Sequence, residues 1–491
     1  MYTIALRAIR IRSQTMHLSN AALKYFDSHA EDRMRWRKRN RYYHRSLESF
    51  VGFLVPRGAT VLHIGADSPD LLALLTPKRG LGIHASARII SEIQKQKLPE
   101  NVTFKQEQLA NVKETFEYAV ISDLLGYVDD VETLLRDSSE RISWRGRIVV
   151  TQHSTLWEPF LQLASSVGLR MPSRTQNWIS RNDLENFAHL AGLEVARGGT
   201  RMLVPKYIPI ISTFFNTYLA NIFPFTRLGL YHYAVLRKID SRSPLPNPSL
   251  SIVVPARNEA GMIERIVMEL PTLGSYTELI LIEGHSKDNT WDEIQRVAKK
   301  YGSDSSRGAR KILIAQQDGK GKGDAVRKGF DMATGDILTI YDADMTVPAS
   351  DMEKFYRALV EGRGDFINGS RLVYPLEKES MRFLNLLANK FFGLAFSWLL
   401  DSRLKDTLCG TKMLWREDYA EIQAGRSFFG DFDPFGDFDL LFGAAKLNRK
   451  IIDMPVHYGE RTYGTTNIQR WSHGWLLLKM TAFAMRKVKF I

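Results

Sequence analysis

Ile337-Leu338-Thr339-Ile340-Tyr341-Asp342-Ala343-Asp344 decides the fold of the second half of this chain. An apolar, β-branched run after a Gly335-Asp336 turn predicts a buried strand that ends in two carboxylates. Open α/β sheets bind ligands beyond the carboxyl ends of their strands. Two hard oxygen ligands there suit Mg²⁺ or Mn²⁺, which keep coordination positions open for substrate phosphates. An isolated Asp-x-Asp more often caps a helix or faces water, so its neighbours must carry the reading.

Those neighbours come in a fixed order. Ser251-Ile252-Val253-Val254-Pro255 predicts a strand ending in Ala256-Arg257-Asn258-Glu259, with an apolar helix pattern after it. Glu278-Leu279-Ile280-Leu281-Ile282 predicts a second, ending in Glu283-Gly284-His285-Ser286-Lys287-Asp288-Asn289-Thr290. Gly319-Lys320-Gly321-Lys322-Gly323-Asp324-Ala325, flexible and cationic, then opens a helix ahead of the Asp-x-Asp strand. Strand, loop and helix repeated three times predict a parallel, doubly wound sheet. Its loops gather Glu259, Glu283, Lys322, Asp342 and Asp344 at one crevice.

This ordered set resembles the family 2 glycosyltransferases of the GT-A fold, over roughly residues 249–491. The resemblance continues through Asn368-Gly369-Ser370-Arg371 and Asp406-Thr407-Leu408-Cys409-Gly410-Thr411-Lys412. It closes with Pro455-Val456-His457-Tyr458 and Arg461-Thr462-Tyr463-Gly464-Thr465-Thr466. The tail looks most like the polyprenol-phosphate, dolichol-phosphate mannosyltransferase-like branch. One departure stands out: Glu283-Gly284 occupies a place where the family often has two adjacent acids, which leaves the nucleotide, UDP or GDP, open.

The resemblance implies an inverting transfer of sugar from a nucleotide-sugar donor. Asp342 and Asp344 would hold the metal, with Asp344 central to catalysis. Pro255, Asn258, Glu259, Glu283, Ser286, Lys322 and Arg461 would line the donor site. Lys322 and Arg461 would neutralise phosphate charge, since cations at developing charge lower a barrier. A polyprenyl phosphate is already anionic and attacks without a base, whereas a saccharide hydroxyl needs one. Asp437 is the candidate base, from the acid-rich run Asp431-Phe432-Asp433-Pro434-Phe435-Gly436-Asp437-Phe438-Asp439. A calcium loop is excluded there, because Phe435 and Phe442 fall where ligands are required.

The first half, roughly 46–238, has its own order. Thr60-Val61-Leu62-His63-Ile64-Gly65 predicts a strand entering a turn, and Leu71-Leu72-Ala73-Leu74-Leu75 a helix. Gly80-Leu81-Gly82-Ile83-His84, Phe116 to Asp123, Arg147 to Thr151 and Tyr231 to Leu236 predict further strands. This order resembles a class I S-adenosylmethionine-dependent methyltransferase domain. Residues 239–249, rich in proline, predict the linker to a glycosyltransferase domain over 250–491. The cofactor turn departs from the family: Gly65-Ala66-Asp67-Ser68-Pro69-Asp70 keeps one glycine, and Pro69 removes an N–H donor. His84 stands where an acid is usual, and so does His63. These departures at Gly65, Asp67 and His84 predict a retained fold with lost or changed S-adenosylmethionine binding, a docking or scaffolding unit, with methyl transfer as the alternative.

Bulk composition fits this two-domain reading. The chain has 491 residues and a net charge of +13. Residues 1–45 hold eleven Arg and Lys against three acids, dominated by Arg33-Met34-Arg35-Trp36-Arg37-Lys38-Arg39-Asn40-Arg41. Such a basic segment suits an anionic membrane surface. No nucleic-acid module accompanies it, so nucleic acid is not expected as a partner. One cysteine, Cys409, excludes an intramolecular disulfide and points to a reducing compartment. The sequence shows no secretory signal and no apolar run long enough to span a bilayer.

Two stretches favour a membrane-borne acceptor. Arg382, Asn385 and Asn389 predict a polar stripe on an otherwise apolar helix through Leu400, able to hold an acceptor phosphate beside Arg371. Trp471 to Phe490 predicts an interfacial amphipathic helix. Tyr207 to Phe225 is also apolar, but Pro209 and Pro224 favour a packed connector. The expectation is a peripheral protein of the cytoplasmic membrane face.

Overall fold

A computed structural model describes residues 18–172, 176–302, 310–374, 383–428, 436–464 and 470–491. The chain divides between Ser241 and Arg242 into two compact α/β units, each built on a seven-stranded mixed sheet.

The first unit contains β1 (Thr60–Ile64), β2 (Arg79–His84), β3 (Val102–Gln106), β4 (Phe116–Ser122), β5 (Ile142–His153), β6 (Leu193–Arg201) and β7 (Tyr231–Lys238). Their spatial order is β3-β2-β1-β4-β5-β7-β6, with only β7 antiparallel to its neighbours. Strand order reverses between β1 and β4, so the crevice of this sheet opens beyond Ile64 and Ser122. Three helices, Asn20–Ser28, Ala30–Arg39 and Arg41–Leu54, precede β1. Phe26, Leu47, Val51 and Leu54 carry them into the core of the unit. The described part of the basic segment is therefore integral to this unit. Its polar faces are exposed at Arg35, Lys38, Arg39 and Arg41.

The second unit contains β8 (Leu250–Ala256), β9 (Thr277–Glu283), β10 (Arg310–Gln316), β11 (Ile337–Ile340), β12 (Phe366–Ser370), β13 (Lys412–Trp415) and β14 (Ile451–Pro455). Their order is β10-β9-β8-β11-β13-β12-β14. Ile252, Val253, Leu279, Ile280, Leu281 and Leu338 are fully buried. Each such side chain contributes about 1.5–3 kcal/mol by leaving water. The parallel reading holds for β10, β9, β8 and β11. It fails beyond them, because β13 enters antiparallel between β11 and β12. After β12 the chain runs through the helix Phe383–Leu400 and returns from the carboxyl edge of β11. That return opposes Lys412 to Ile340.

Candidate active site

Register brings the loops of the second unit to one edge. Ala256 pairs with Glu283, Glu283 with Gln316, and Val253 with Ile340, so four parallel strands end nearly flush. The strand ends at Ile340, and Asp342 and Asp344 lie on the loop beyond it. Three loop residues here, Asn258, His285 and Met345, adopt positive φ of 57°, 56° and 49°. Non-glycine residues in that region store backbone strain, which collects at functional sites.

The two carboxylates differ. Lys322, at the start of the helix Lys322–Met332, sets its ammonium 2.5 Å from Asp342 Oδ1. Burial alone would raise the Asp342 carboxyl, but Lys322 more than offsets it and holds the group below its ordinary value. Asp344 Oδ1 accepts from the backbone N–H of Thr346 at 3.2 Å and from its hydroxyl at 2.9 Å. Burial, and then the charge of Asp342, push the Asp344 carboxyl up. A carboxylate raised by a like-charged neighbour is relieved by a cation, so this donor pair fits a hard divalent ion.

Glu259 sits across the crevice. It pairs with the Arg461 guanidinium, which also lies 3.6 Å from Asp344 Oδ2. Its Oε2 is buried and has no hydrogen-bond partner. Burial pushes its carboxyl up to about 7, an effect that Arg461 only partly offsets. The Tyr463 ring packs so closely on Gly261 that a Cβ there would approach it to 2.6 Å, and the chain from Arg461 to Gly464 thus covers Glu259.

The neighbouring donor candidates brace one another. Asn258 N–H donates to Ser286 Oγ at 3.0 Å, and Lys287 N–H to Asn258 Oδ1 at 2.7 Å. Glu283 accepts from Ser286 N–H at 2.5 Å and from Gln316 Nε2 at 3.0 Å. Burial raises this carboxyl less than those donors lower it. Pro255 lies half-buried in β8, paired with Ile282. At Gly284, where a second acid is absent, a Cβ would meet Arg257 Cβ at 3.2 Å.

The opposite wall holds residues whose roles the sequence did not disclose. Asp406 is fully buried and takes two hydrogen bonds from the Arg371 guanidinium, at 2.8 and 2.9 Å. Arg371 also lies over the Tyr458 ring at 5.2 Å, so the expected acceptor-binding arginine is already engaged by a carboxylate. Gly410 follows directly in the same turn, and a Cβ there would overlap both the Asp342 carboxylate and the Lys322 ammonium. Lys412 is fully buried beside the end of β11 and donates to the Cys409 carbonyl. The antiparallel return of β13 puts Asp406, Gly410 and Lys412 in place, and no local pattern announces it.

Asp437 opens the helix Asp437–Lys446. Gly436 before it has φ +74°, and a Cβ there would come within 2.8 Å of Gly323 Cα. The backbone at Asp437 therefore reaches the crevice beside Lys322, while its side chain lies outside the described residues. Asp439 is buried near Arg327 and Arg426, each at 3.5 Å, as a structural counter-ion. Asp431, Asp433, Arg382 and Thr465-Thr466 lie outside the described residues, as does the Asn385 side chain. Among the described residues, no three His, Cys, Asp or Glu side chains cluster as a metal site.

The first unit keeps a cavity of about 280 Å³ at its sheet crevice, lined by Arg33, Arg37, Tyr43, Asp67, Asp123 and His153 among others. Its residues do not fit S-adenosylmethionine. Asp67 is taken by Arg33 at 2.7 Å and Arg37 at 3.3 Å. His84, where a carboxylate would grip the ribose hydroxyls, spends Nδ1 on the Ser86 N–H at 2.9 Å and sets its ring edge-on to Phe26. Burial above all holds this imidazole neutral, near 4. Gly65, at φ +75°, is covered by Leu124, which a Cβ would meet at 2.7 Å.

Residues 251–422 match the model of glycosyl transferase family 2, and residues 35–197 match a methyltransferase domain. The chain is 25% identical over 255 residues to a dolichol-phosphate mannosyltransferase of Pyrococcus furiosus, covering 49% of this chain and 67% of that one. It is 28% identical over 256 residues to the human dolichyl-phosphate beta-glucosyltransferase, covering 47% and 72%. Among solved structures, a SAM-dependent methyltransferase of Thermotoga maritima aligns with 44% of this chain and 99% of its own, at 15% identity and a TM-score of 0.36. The two matches fall on the two compact units in turn, the methyltransferase model on the first and the glycosyl transferase family 2 model on the second.

Proposed function

We propose that the second unit transfers a hexose from a nucleoside-diphosphate sugar to a polyprenyl phosphate, with inversion at the anomeric carbon. The observation that carries this reading is the unpartnered Glu259 Oε2, linked to the Asp342–Asp344 pair through Arg461, which lies beside both Glu259 and Asp344, with Lys322 on Asp342. A buried acceptor without a donor calls for a partner, and the partner assigned here is a ribose hydroxyl or a base N–H of the donor. Glu283 and the Asn258–Ser286 brace shape the loop around that nucleoside. Lys322 and Arg461, each already beside a carboxylate, balance charge as diphosphate arrives and leaves. Asp342 and Asp344 would hold Mg²⁺ or Mn²⁺, whose chemistry would be to stabilise the departing diphosphate.

The names of the two relatives support a lipid-phosphate acceptor. Support also comes from the helix Phe383–Leu400, which leaves Leu387, Phe391 and Leu394 exposed at helical spacing while Phe392 and Phe396 are buried. Arg371, Arg382 and Asn385 are the residues we assign to the acceptor side. A second reading, transfer to a saccharide hydroxyl, is favoured by the approach of Gly436 to Gly323, which brings the Asp437 backbone to the crevice as a base would require.

The test is transfer of radiolabelled sugar from UDP-glucose and GDP-mannose, with Mn²⁺, into an extractable lipid fraction containing polyprenyl phosphate. Labelled lipid from one donor, abolished by Asp344→Asn and retained by Asp437→Asn, supports the first reading. Loss in both variants, with label in water-soluble glycan, supports the second. Absence of label from either donor in any fraction refutes both.

A further inference from the structure

The first unit carries an exposed apolar face that neither its sheet nor its helices require. The helix Glu158–Ser166 leaves Phe160 and Leu163 each 61% exposed. The segment from Tyr207 to Phe225, expected from its prolines to pack as a connector, instead exposes Tyr207 (63%), Ile210 (84%), Phe214 (52%) and Phe223 (69%). The two stretches adjoin: Trp157 Nε1 donates to the Leu228 carbonyl at 2.8 Å, and the Trp157 ring lies 5.7 Å from that of Phe160. Soluble surfaces rarely gather so many large apolar side chains in one place.

Charge selects the occupant. No acid occurs between Glu194 and Asp240, whereas Lys206 and Arg227 flank the apolar segment. Its edge meets the basic helices: the Tyr207 ring sits 5.6 Å from that of Tyr42, and Lys206 Nζ donates to Asn40 Oδ1. Burial, then the nearby Arg39 guanidinium, push the Lys206 ammonium below its ordinary value, as expected where cations crowd. Arg35, Lys38, Arg39 and Arg41 are exposed on those helices. No described helix is long and apolar enough to cross a bilayer. An aromatic, aliphatic face rimmed by cations matches a shallow seat in an anionic bilayer interface.

We infer that the methyltransferase-type unit is a membrane-docking module that seats this face in an anionic lipid surface. The inference deepens the lipid-acceptor reading but does not depend on it, because its readout is lipid binding and not sugar transfer.

The experiment floats the full chain with vesicles of phosphatidylcholine plus phosphatidylglycerol, and with phosphatidylcholine alone. Wild type should bind the mixed vesicles and largely ignore the neutral ones. Phe160→Asp, Ile210→Asp and Phe223→Asp, at side chains more than half exposed, should each weaken binding at least about tenfold. Arg35→Glu with Lys38→Glu should weaken only the anionic component. A second measurement places the face directly: in Ile210→Cys the dye attaches at position 210, since Cys409 is buried, and its emission should shift blue on vesicle addition. Equal binding by wild type and all three Asp variants, or an unshifted dye, overturns the inference. So does loss of binding in Leu394→Asp with none in Ile210→Asp, which would place the contact in the second unit. A dimer abolished by Ile210→Asp in a chain that ignores vesicles also overturns it and gives the face to a second copy.

Discussion

The Lys322 ammonium lies 2.5 Å from Asp342 Oδ1, where a divalent ion would have to sit against the same carboxylate. If Asp342 holds a divalent ion, the Lys322 ammonium occupies ground that the ion would need, and the two compete for one carboxylate. Lys322→Met should therefore raise Mn²⁺ affinity in the absence of nucleotide by about tenfold, a change of about 1.4 kcal/mol. The same variant should lower sugar transfer by about 10²–10³, the usual loss when one charge-stabilising donor is removed. Electron paramagnetic resonance of free Mn²⁺ reads the first effect. Unchanged Mn²⁺ binding would show that lysine and metal do not compete.

Gly410 gives a second, purely steric test. A Cβ at that position would overlap the Asp342 carboxylate and the Lys322 ammonium together. The lysine end can swing away, but Asp342 hangs on a short side chain at the end of a buried strand. Gly410→Ala should lose Mn²⁺-dependent nucleotide binding by at least about tenfold. The strain falls on the ends of the Asp342 and Lys322 side chains, so ligand binding should suffer more than thermal stability. Calorimetric titration of UDP and GDP with Mn²⁺ checks it; wild-type affinity would show that the turn relaxes.

Glu259 makes donor binding depend on pH. Its carboxyl is pushed up to about 7, so it is largely protonated at pH 6 and ionised at pH 8. If Oε2 accepts from a ribose hydroxyl or a base N–H, the ionised form binds better. Affinity for the nucleoside diphosphate then rises as pH climbs through about 7. The phosphates of the ligand titrate in the same range, so the informative quantity is the difference from Glu259→Gln. The variant should lose the part of the rise that belongs to the carboxyl; parallel profiles would remove Glu259 from the donor site.

The residues that could be read from sequence are those whose partners are close along the chain or imposed by parallel pairing. Each apolar run near Val253, Ile280 and Leu338 became a central strand, and the acids that end them met at one edge because parallel register leaves no other arrangement. Asp406, Gly410 and Lys412 were visible as a motif but not as a wall of the crevice. Their position follows from β13 reversing direction beside β11, a long-range choice with no local periodicity. The connector Tyr207 to Phe225 failed in the opposite sense. Proline marks a break in regular structure but says nothing about which side of that break meets water. Likewise Arg33 and Arg37 read as part of a basic run suited to an anionic surface, whereas their guanidinium groups reach Asp67 in the cavity of the first unit.

The buried histidines of that unit set its acid stability. His63, His84 and His232 are each almost fully buried, and burial before any other cause holds each near 4. In the unfolded chain each titrates near 6.5. Between those values the unfolded state binds protons that the folded state refuses, so stability falls as pH falls from about 6.5 toward 4. Each ring can cost about 3 kcal/mol across that window. Glu48, pushed up to about 7 chiefly by burial, works in the other sense, since the folded state then holds a proton that the unfolded one releases. With His44 and His153 depressed as well, five rings against one carboxyl leave a net loss on acidification. Hydrogen exchange at pH 7 and pH 5 should therefore show β1, β2 and β7 losing protection ahead of β8, β9 and β11. His84→Gln, which keeps an acceptor for the Ser86 N–H, should reduce that loss by about one ring's share. Equal protection in both units at pH 5 would mean that water reaches these imidazoles and lets them titrate as they do in the unfolded chain.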